Sequence, residues 1–349
     1  FSESVKMNTA LIRKRIRNAK MKAEEKQVGR YSATTTALLY LDGVVYLPIC
    51  EEMRKRLDAF EVDGIEDGGM IEYLTRKKKE GRFPVYQTTE RPDRAAQAIL
   101  EGRVVLLTDN SPEALIFPAT LNSLFQTADD YYRNERIVTF LRLIRYVAAF
   151  LALALPGLYV AAATFHPQLL PGNLIRSMAE ARSGVPFPTA AEVLLMELSF
   201  ELLREAGLRM PGPAGNTIGI VGGLIVGQAA VSANLVSPIT VTVAALTALG
   251  SFSIPNEELS EVFRLWKYGI LLLGSCFGIL GVMLGCFLLL MLMAEQESYG
   301  IPWLYPYVGG NLNERADEKD SMFLAAARKR KRRPIFAKWG NRIRFRRKS

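Results

Sequence analysis

A short apolar segment, "AAEVLLMELSFELLREAG" at residues 190–207, carries four glutamates at helical spacing. At about 100° per residue, Glu197, Glu201 and Glu205 form one narrow stripe and Glu192 lies off it. Carboxylates close to a membrane are costly and usually face a cavity, a partner or water. Three interpretations stay open: a surface helix with its acids in solvent, a vestibule that attracts cations, and a site for a metal ion or proton transfer.

The other residues that could do chemistry narrow these choices. The chain has one histidine, His166, and three cysteines, Cys50, Cys276 and Cys286, which excludes a disulfide framework and argues against a His/Cys metal site. No histidine accompanies the glutamates, and His166 in "TFHPQ" fits a structural role at a membrane interface. Residues 1–136 hold neither a glycine-rich phosphate loop nor a nucleophile–base pair. The sequence therefore predicts no enzyme, no metal and no cofactor.

Long uncharged stretches place the glutamates beside a membrane. These stretches are 147–165, 217–233, 235–254 and 268–294, of 19, 17, 20 and 27 residues. Because a span needs roughly 20 apolar residues, we predict a bundle of about four spans plus one amphipathic helix, with domain limits 137–310. Only Asn234 separates the middle two stretches, which predicts a tight hairpin.

The distribution of basic residues predicts the orientation of this bundle. Arg136, Arg142 and Arg145 precede the first stretch, and a basic tail follows the last one. Positive charge marks the cytoplasmic side, so both termini are predicted there and the "PNEELSEVF" loop outside. The glutamate helix is then predicted to lie at the interface or dip into the bundle without crossing it.

The third stretch carries a polar stripe that could complement the glutamates. The small and hydroxyl-bearing residues of this stripe are Ser237, Thr240, Ala244, Thr247 and Ser251. Such hydroxyls either bond the preceding carbonyl groups of their own helix or line a narrow water-filled path. Thr240, Thr247 and Ser251 are the pore candidates alongside the glutamate stripe.

Glycines at helical spacing predict close helix packing. The second stretch contains Gly219, Gly223 and Gly227, and the fourth contains Gly274, Gly278, Gly281 and Gly285. Small residues at this spacing let helix backbones approach closely. The contacts they make can be within one chain, between subunits, or both.

Residues 1–136 predict a soluble cytoplasmic α/β domain. Helices are predicted at "SVKMNTALIRKRIRN", "PICEEMRKRLDAF" and "RPDRAAQAILEG", a strand at "SATTTALLYLDG", and a hairpin at "RVVLLTDNSPEALIFP". The chain starts at Phe1 without a methionine, and we expect further sequence before it.

The net charge of +9 comes from the C-terminal end. Residues 328–349 hold 12 Lys or Arg and no acid, so the rest of the chain carries 9 − 12 = −3. We predict that 311–349 is a basic, disordered cytoplasmic tail. It could bind anionic lipid head groups, hold nucleic acid without specificity, or only fix the topology; lipid or topology is favoured, with no specific nucleic acid as partner.

Several long motifs resemble one known family. The motifs are "NTALIRKRIR", "TTERPDRAAQAILEGRVVLLTDNSPEALIFP", "GVPFPTAAEVLLMELSFELLREAGLRMP", "GIVGGLIVGQAAVSANLVSP" and "FSIPN". They resemble the A subunit of GerA-type spore germination receptors, and also the related stage V sporulation protein AF. The resemblance runs to about "YGIPWLYPYVGG" and leaves out the tail.

The resemblance implies a multi-pass protein of the spore inner membrane. It implies assembly with a transporter-like B subunit and a lipoprotein C subunit, a response to nutrients, and a pentameric channel that releases cations. Five copies of the glutamate stripe would then ring an entrance. Two alternatives stay open: a non-conducting membrane scaffold that holds the partner subunits, and the stage V sporulation AF-like relative.

Overall fold

The chain forms two compact units in a computed structural model that describes residues 1–77, 80–209, 213–308, 320–326, 329–330, 332–338 and 343, the side chains of 213–221 and 224 excepted. Unit 1 consists of Phe1–Leu143 together with Leu292–Ser349, and unit 2 of Ile144–Met291. Unit 1 is therefore built from both ends of the chain, whereas the domain limits predicted for it stopped at residue 136.

A five-stranded antiparallel sheet forms the centre of unit 1. Its strands are β1 (Met21–Val28), β2 (Thr34–Leu41), β3 (Gln87–Thr89), β4 (Val104–Thr108) and β5 (Ala114–Phe117). They lie in the order β1-β2-β4-β5-β3, so β1 and β3 are the edges. The sequence of β1, "MKAEEKQV", exposes charged side chains along one edge, which is how edge strands avoid pairing with other chains.

Helices cover both faces of this sheet. They are α1 (Val5–Arg15), α2 (Leu47–Asp58), α3 (Gly68–Thr75), α4 (Pro92–Glu101) and the one-turn α5 (Leu121–Leu124). Successive strand residues point to opposite faces, so Leu38 packs with α2 in one core cluster and Leu39 packs with α1 and α4 in the other. The predicted α/β character is confirmed, and β1, β3 and α3 are elements that the sequence patterns did not predict.

Part of the predicted disordered tail packs onto unit 1. A two-stranded ribbon, β6 (Glu297–Ser298) and β7 (Ile301–Pro302), precedes it. Phe336 and Ala337 are 6% and 1% exposed and belong to the two core clusters. Gly102 ends α4 with φ 94°, and a methyl group added there would lie 2.7 Å from Cα of Ala337. The described part of 320–338 is thus an element of unit 1; lipid binding by the tail stays a prediction.

Unit 2 is helical. Its helices are α6 (Glu135–Thr164), which begins in unit 1, α7 (Gly172–Ala181), α8 (Thr189–Leu208), α9 (Pro213–Ser232), α10 (Pro238–Phe252) and α11 (Glu257–Glu295). By length and composition alone, α6 and the whole run of α11 are the two described helices that could cross a membrane, where four spans were predicted. Helix α10 is apolar but has only 15 residues.

The longest helix turns back on itself. Gly278 has φ 63° and ψ −144° inside α11, which divides it into a first arm, 257–277, and a second arm, 279–295. A methyl group added at Gly285 would lie 2.9 Å from Cγ1 of Ile270. In a straight helix these residues would be about 22 Å apart. The apolar run 268–294 is therefore a helical hairpin rather than the single span that was predicted.

Candidate functional site

The glutamate helix α8 packs lengthwise against α9, α10 and the first arm of α11. Its glutamates become more exposed along the helix: the side chains of Glu192 and Glu197 are 0% and 2% exposed, and those of Glu201 and Glu205 are 37% and 58% exposed. The predicted amphipathic helix at the interface therefore lies among other helices over much of its length. Its acids differ in environment instead of forming one uniform solvent-facing row.

Glu192, which the helical projection placed off the stripe, has the most partners. Its Oε2 accepts hydrogen bonds from the backbone N–H of Ser237 at 2.9 Å and from Oγ1 of Thr240 at 3.1 Å. Its Oε1 accepts from Nε of Arg182 at 3.2 Å. Ser237 is the N-cap of α10, so a carboxylate lies at a helix N-terminus, where negative charge is stabilised.

Glu197 forms a buried ion pair with the first arm of α11. Nζ of Lys267 donates to its Oε2 at 2.6 Å, and the two side chains are 2% and 6% exposed. One turn further along α8, Glu201 pairs with Arg264. Breaking a buried pair by removing one partner costs about 3–5 kcal/mol because it leaves an uncompensated charge. These two pairs fix α8 against the first arm.

Glu205 differs from the other two members of the stripe. It pairs with Arg209 on its own helix at 2.7 Å, and both side chains are largely exposed. A pair of this kind contributes at most about 0.5 kcal/mol. Among the described residues, no group of three or more His, Cys, Asp and Glu side chains could hold a metal ion. Glu197 and Glu201 therefore pair with the basic side chains of Lys267 and Arg264, and Glu205 lies at the solvent-exposed end of α8.

The Ser/Thr stripe of α10 is buried within unit 2. Thr240, Thr247 and Ser251 are 0%, 1% and 6% exposed. The hydroxyl of Thr247 donates to the carbonyl oxygen of Val243 at 2.9 Å, and that of Ser251 to Ala248 at 2.7 Å. Backbone bonding of this kind was the first of the two interpretations given for the stripe. Thr240 meets Glu192, so this part of the polar stripe does face a carboxylate of α8.

The glycines with described surroundings are close to atoms of their own chain. An added methyl group at Gly223 would lie 3.5 Å from Phe200, and one at Gly227 would lie 3.3 Å from Val241. Gly274 and Gly281 pack where the arms of α11 meet, and Gly278 forms the bend beside His166. Gly219 falls in the part of α9 whose side-chain surroundings lie outside the description. Subunit contacts through these faces stay a prediction.

The sequence patterns did not predict the two basic side chains that pair with the glutamates. Arg264 and Lys267 lie three residues apart in "FRLWKYGI", so they share one face of the first arm. Glu197 and Glu201 lie four apart on α8. One helix thus has two acidic residues and the other has two basic residues at similar spacing, each set at the edge of an apolar run. This pattern could have indicated that α8 contacts the first arm of α11.

Sequence comparison relates this chain to known proteins. A sequence model described as Bacillus/Clostridium GerA spore germination protein matches residues 1–336. An uncharacterized membrane protein of Bacillus subtilis (strain 168), YfkQ, is 39% identical over 93% of this chain and 63% of its own length. Spore germination protein KA of the same organism is 37% identical over 88% of this chain and 56% of its own length. The chain thus spans less than two thirds of the length of these relatives.

One solved structure also matches. It is the N-terminal domain of the A subunit of the Bacillus megaterium spore germinant receptor GerK3, 32% identical, with a TM-score of 0.27, covering 35% of this chain and 96% of that domain. The family match extends past the last motif seen in the sequence and takes in the packed segment up to Phe336. The chain belongs to the GerA family of Bacillus and Clostridium spore germination proteins.

Proposed function

We propose that this chain is a membrane subunit of a nutrient-responsive spore germination receptor and that copies of it assemble into a cation-conducting channel. Family membership supports the role in germination. The observation that carries the proposal of conduction is the row of carboxylates on α8, two of which are buried among the helices of unit 2. Ionisable groups within a membrane bundle are expensive, and they commonly mark the path of an ion.

The ion pairs define what a conducting state requires. In the single chain, Lys267 and Arg264 neutralise Glu197 and Glu201. A row neutralised in this way attracts no cations, so the arrangement corresponds to a closed state. Conduction requires the first arm of α11 to move away from α8, which would leave the carboxylates facing the path. We propose that nutrient binding to the complex drives this separation.

The proposed setting follows from the family resemblance. The chain would lie in the spore inner membrane with both termini on the cytoplasmic side, which faces the spore core. It would form a homo-oligomer, with a pentamer as the expected size, together with a transporter-like B subunit and a lipoprotein C subunit. Membership of the GerA family of spore germination proteins supports this setting.

Conductance of the purified oligomer in planar bilayers tests this proposal. Replacing Lys267 with methionine removes the counter-charge of Glu197, so Lys267→Met should raise cation leak at low ionic strength. Lys267→Met combined with Glu197→Gln should return the leak to the wild-type level, because no unpaired carboxylate is left. The effect is electrostatic and should fade between 0.1 M and 1 M salt, as the Debye length falls from about 10 Å to about 3 Å. An oligomer that never conducts contradicts the proposal.

A second candidate function is a non-conducting scaffold. The burial of Thr247 and Ser251 and the contacts of Gly223 and Gly227 with their own chain favour it, because these residues pack inside unit 2 and do not face water. A scaffold would hold the partner subunits without conducting ions. Deletion of the chain would then remove the partners from the membrane, and the purified oligomer would carry no current in planar bilayers. This reading would equally suit a relative of the stage V sporulation AF type.

A further inference from the structure

Unit 1 contains a cluster of buried and half-buried arginines around one tyrosine. The guanidinium carbons of Arg94, Arg142 and Arg330 lie 5.8, 5.8 and 5.2 Å from the ring centroid of Tyr131. Arg103 lies nearby, with its guanidinium 5.3 Å from the ring centroid of Phe336. Burial and the neighbouring charge of Arg94 lower the pKa of Arg103 to about 9. So many positive groups in a protein interior require negative charges or hydrogen-bond acceptors close to them.

The compensation supplied by the described residues is incomplete. Arg103 is 1% exposed; it donates from Nε to the carbonyl oxygen of Pro118 and from Nη1 to Gln87, both at 2.9 Å. Its Nη2 is buried and has no hydrogen-bond partner among the described residues, and the same holds for Nε of Arg330. A buried charged donor left without an acceptor keeps the full cost of losing its water. An acceptor is therefore expected beside each of these two groups.

A small cavity adjoins both arginines. Its volume is about 50 Å³, and its polar lining comes from the sheet side through Arg103 and from the packed C-terminal segment through Arg330 and Asp320. One water needs about 10–15 Å³ by this measure, so the cavity fits a group of about four or five heavy atoms. That is the size of a phosphate or acetate ion.

The two carboxylates that line the cavity, Glu101 and Asp320, accept hydrogen bonds from other groups. Asp320 already accepts hydrogen bonds from Tyr131, Arg142 and Arg330 through its side chain. Glu101 accepts from the side-chain amide of Gln97 at 2.9 Å. Arginine's planar fork of donors matches the oxygens of phosphate and carboxylate groups, so the free donors select an oxyanion over a neutral ligand.

We propose that this cavity binds a small oxyanion, held by Arg103 from the sheet and Arg330 from the C-terminal segment. The site is separate from the α8 carboxylates and does not depend on conduction. Because Arg103 directly precedes β4 and Arg330 lies in the C-terminal segment, a bound oxyanion would join the segment after α11 to the sheet. Its presence would therefore stabilise the docked form of that segment.

Thermal unfolding of the full chain in detergent micelles, titrated with inorganic phosphate and with acetate at constant ionic strength set by sodium chloride, tests the proposal. We expect a saturable rise in melting temperature with at least one of the two ions. Arg330→Gln should weaken that ion's affinity at least tenfold, and Arg103→Gln should weaken it more. Arg30→Gln is the matched control, because Arg30 also stacks on a tyrosine ring, at 5.4 Å from Tyr31, but on the exposed surface.

Two results would overturn the proposal. One is a wild-type chain that neither ion stabilises beyond sodium chloride alone. The other is an affinity for the bound ion that Arg330→Gln leaves unchanged. Arg103 is so deeply buried that its variant could fail to fold, but the side chain of Arg330 is 15% exposed, so Arg330→Gln alone decides the outcome.

Discussion

At the scale of single residues, the four glutamates of α8 lie in different environments, from the fully buried Glu192 to Glu205, whose side chain is 58% exposed. Projection placed Glu197, Glu201 and Glu205 on one stripe and left Glu192 off it. Glu192 is fully buried and accepts three hydrogen bonds from two neighbouring segments. Projection describes one helix alone, so it carries no information about which face the other helices cover.

Glu192→Gln should therefore destabilise unit 2. The amide keeps one acceptor but places an N–H₂ group against Arg182 or the N-terminus of α10, and hydrogen bonds to charged groups contribute about 1.5–3 kcal/mol each. We expect a loss of about 2–3 kcal/mol, measured as a lower melting temperature in micelles. Glu205→Gln is the control, because that side chain is 58% exposed. Equal melting temperatures for the two variants would contradict the role given to Glu192.

Cys50 offers a second test at this scale. It is 0% exposed, and burial raises the pKa of its thiol to about 12. Only the thiolate is nucleophilic, so at pH 8 the folded chain should leave Cys50 unmodified by a maleimide. In a variant with Cys276→Ser and Cys286→Ser, labelling measured by mass spectrometry should appear only after denaturation. Rapid labelling of the native protein at pH 8 would show that this core opens readily.

At the scale of elements, the sequence predicted those segments whose pattern reports burial. Strand β2, the β4–β5 hairpin and helices α1, α2 and α4 combine apolar periodicity with turn or capping residues. Strand β1 was missed because a charged edge strand has few apolar residues to alternate, and β3 because three residues are too short for a pattern. The pairing of Glu197 with Lys267 was missed because 70 residues separate them.

The bend in α11 shows a different limit. A row of glycines in an apolar run has the same appearance whether the helix packs against a neighbour or folds back onto itself. What decides is the positive φ of Gly278, 63°, and a conformation of this kind is available to glycine without steric cost. Composition alone does not show which glycine adopts it.

Gly281→Ala should open the hairpin of α11. The added methyl group would collide with the backbone carbonyl of Leu273, which cannot move aside as a side-chain tip can. We expect a lower melting temperature and loss of a cross-link between cysteines introduced at Ile270 and Gly285. Gly269→Ala is the matched control: no atom lies within 4 Å of its added methyl group, and alanine favours the helix by about 1 kcal/mol. A cross-link that persists in Gly281→Ala would contradict the described packing.

At the scale of the whole molecule, unit 1 needs both ends of the chain. Gly102 shows how closely they fit, because its left-handed backbone leaves room for Ala337. Gly102→Ala should expel the C-terminal segment, so limited trypsin digestion should cut after Arg330 and Lys338 faster than in the wild type. Gly43→Ala is the control, because Gly43 also has a positive φ, 78°, but no atom within 4 Å of an added methyl group. Equal digestion rates in the two variants would show that the segment is not held by this contact.

The two-ended construction of unit 1 has a consequence for the path of the chain through a membrane. Residues 143 and 292 both belong to unit 1, so the intervening chain must start and finish in one compartment. A segment that leaves a compartment and returns to it crosses the membrane an even number of times. If α6, α9, α10 and both arms of α11 each traverse it, the total is odd, because α11 turns back at Gly278.

The parity is restored if α8, with its 20 residues packed among the others, traverses the membrane as well. The turn between α10 and α11 then returns to the compartment of unit 1, opposite to the placement predicted for the "PNEELSEVF" loop. A cysteine in place of the exposed Glu257 should accordingly be shielded from an impermeant thiol reagent in intact cells, as one at Tyr31 should be. The carboxylates of α8 would in that case lie at different depths in the membrane, each with different protein surroundings.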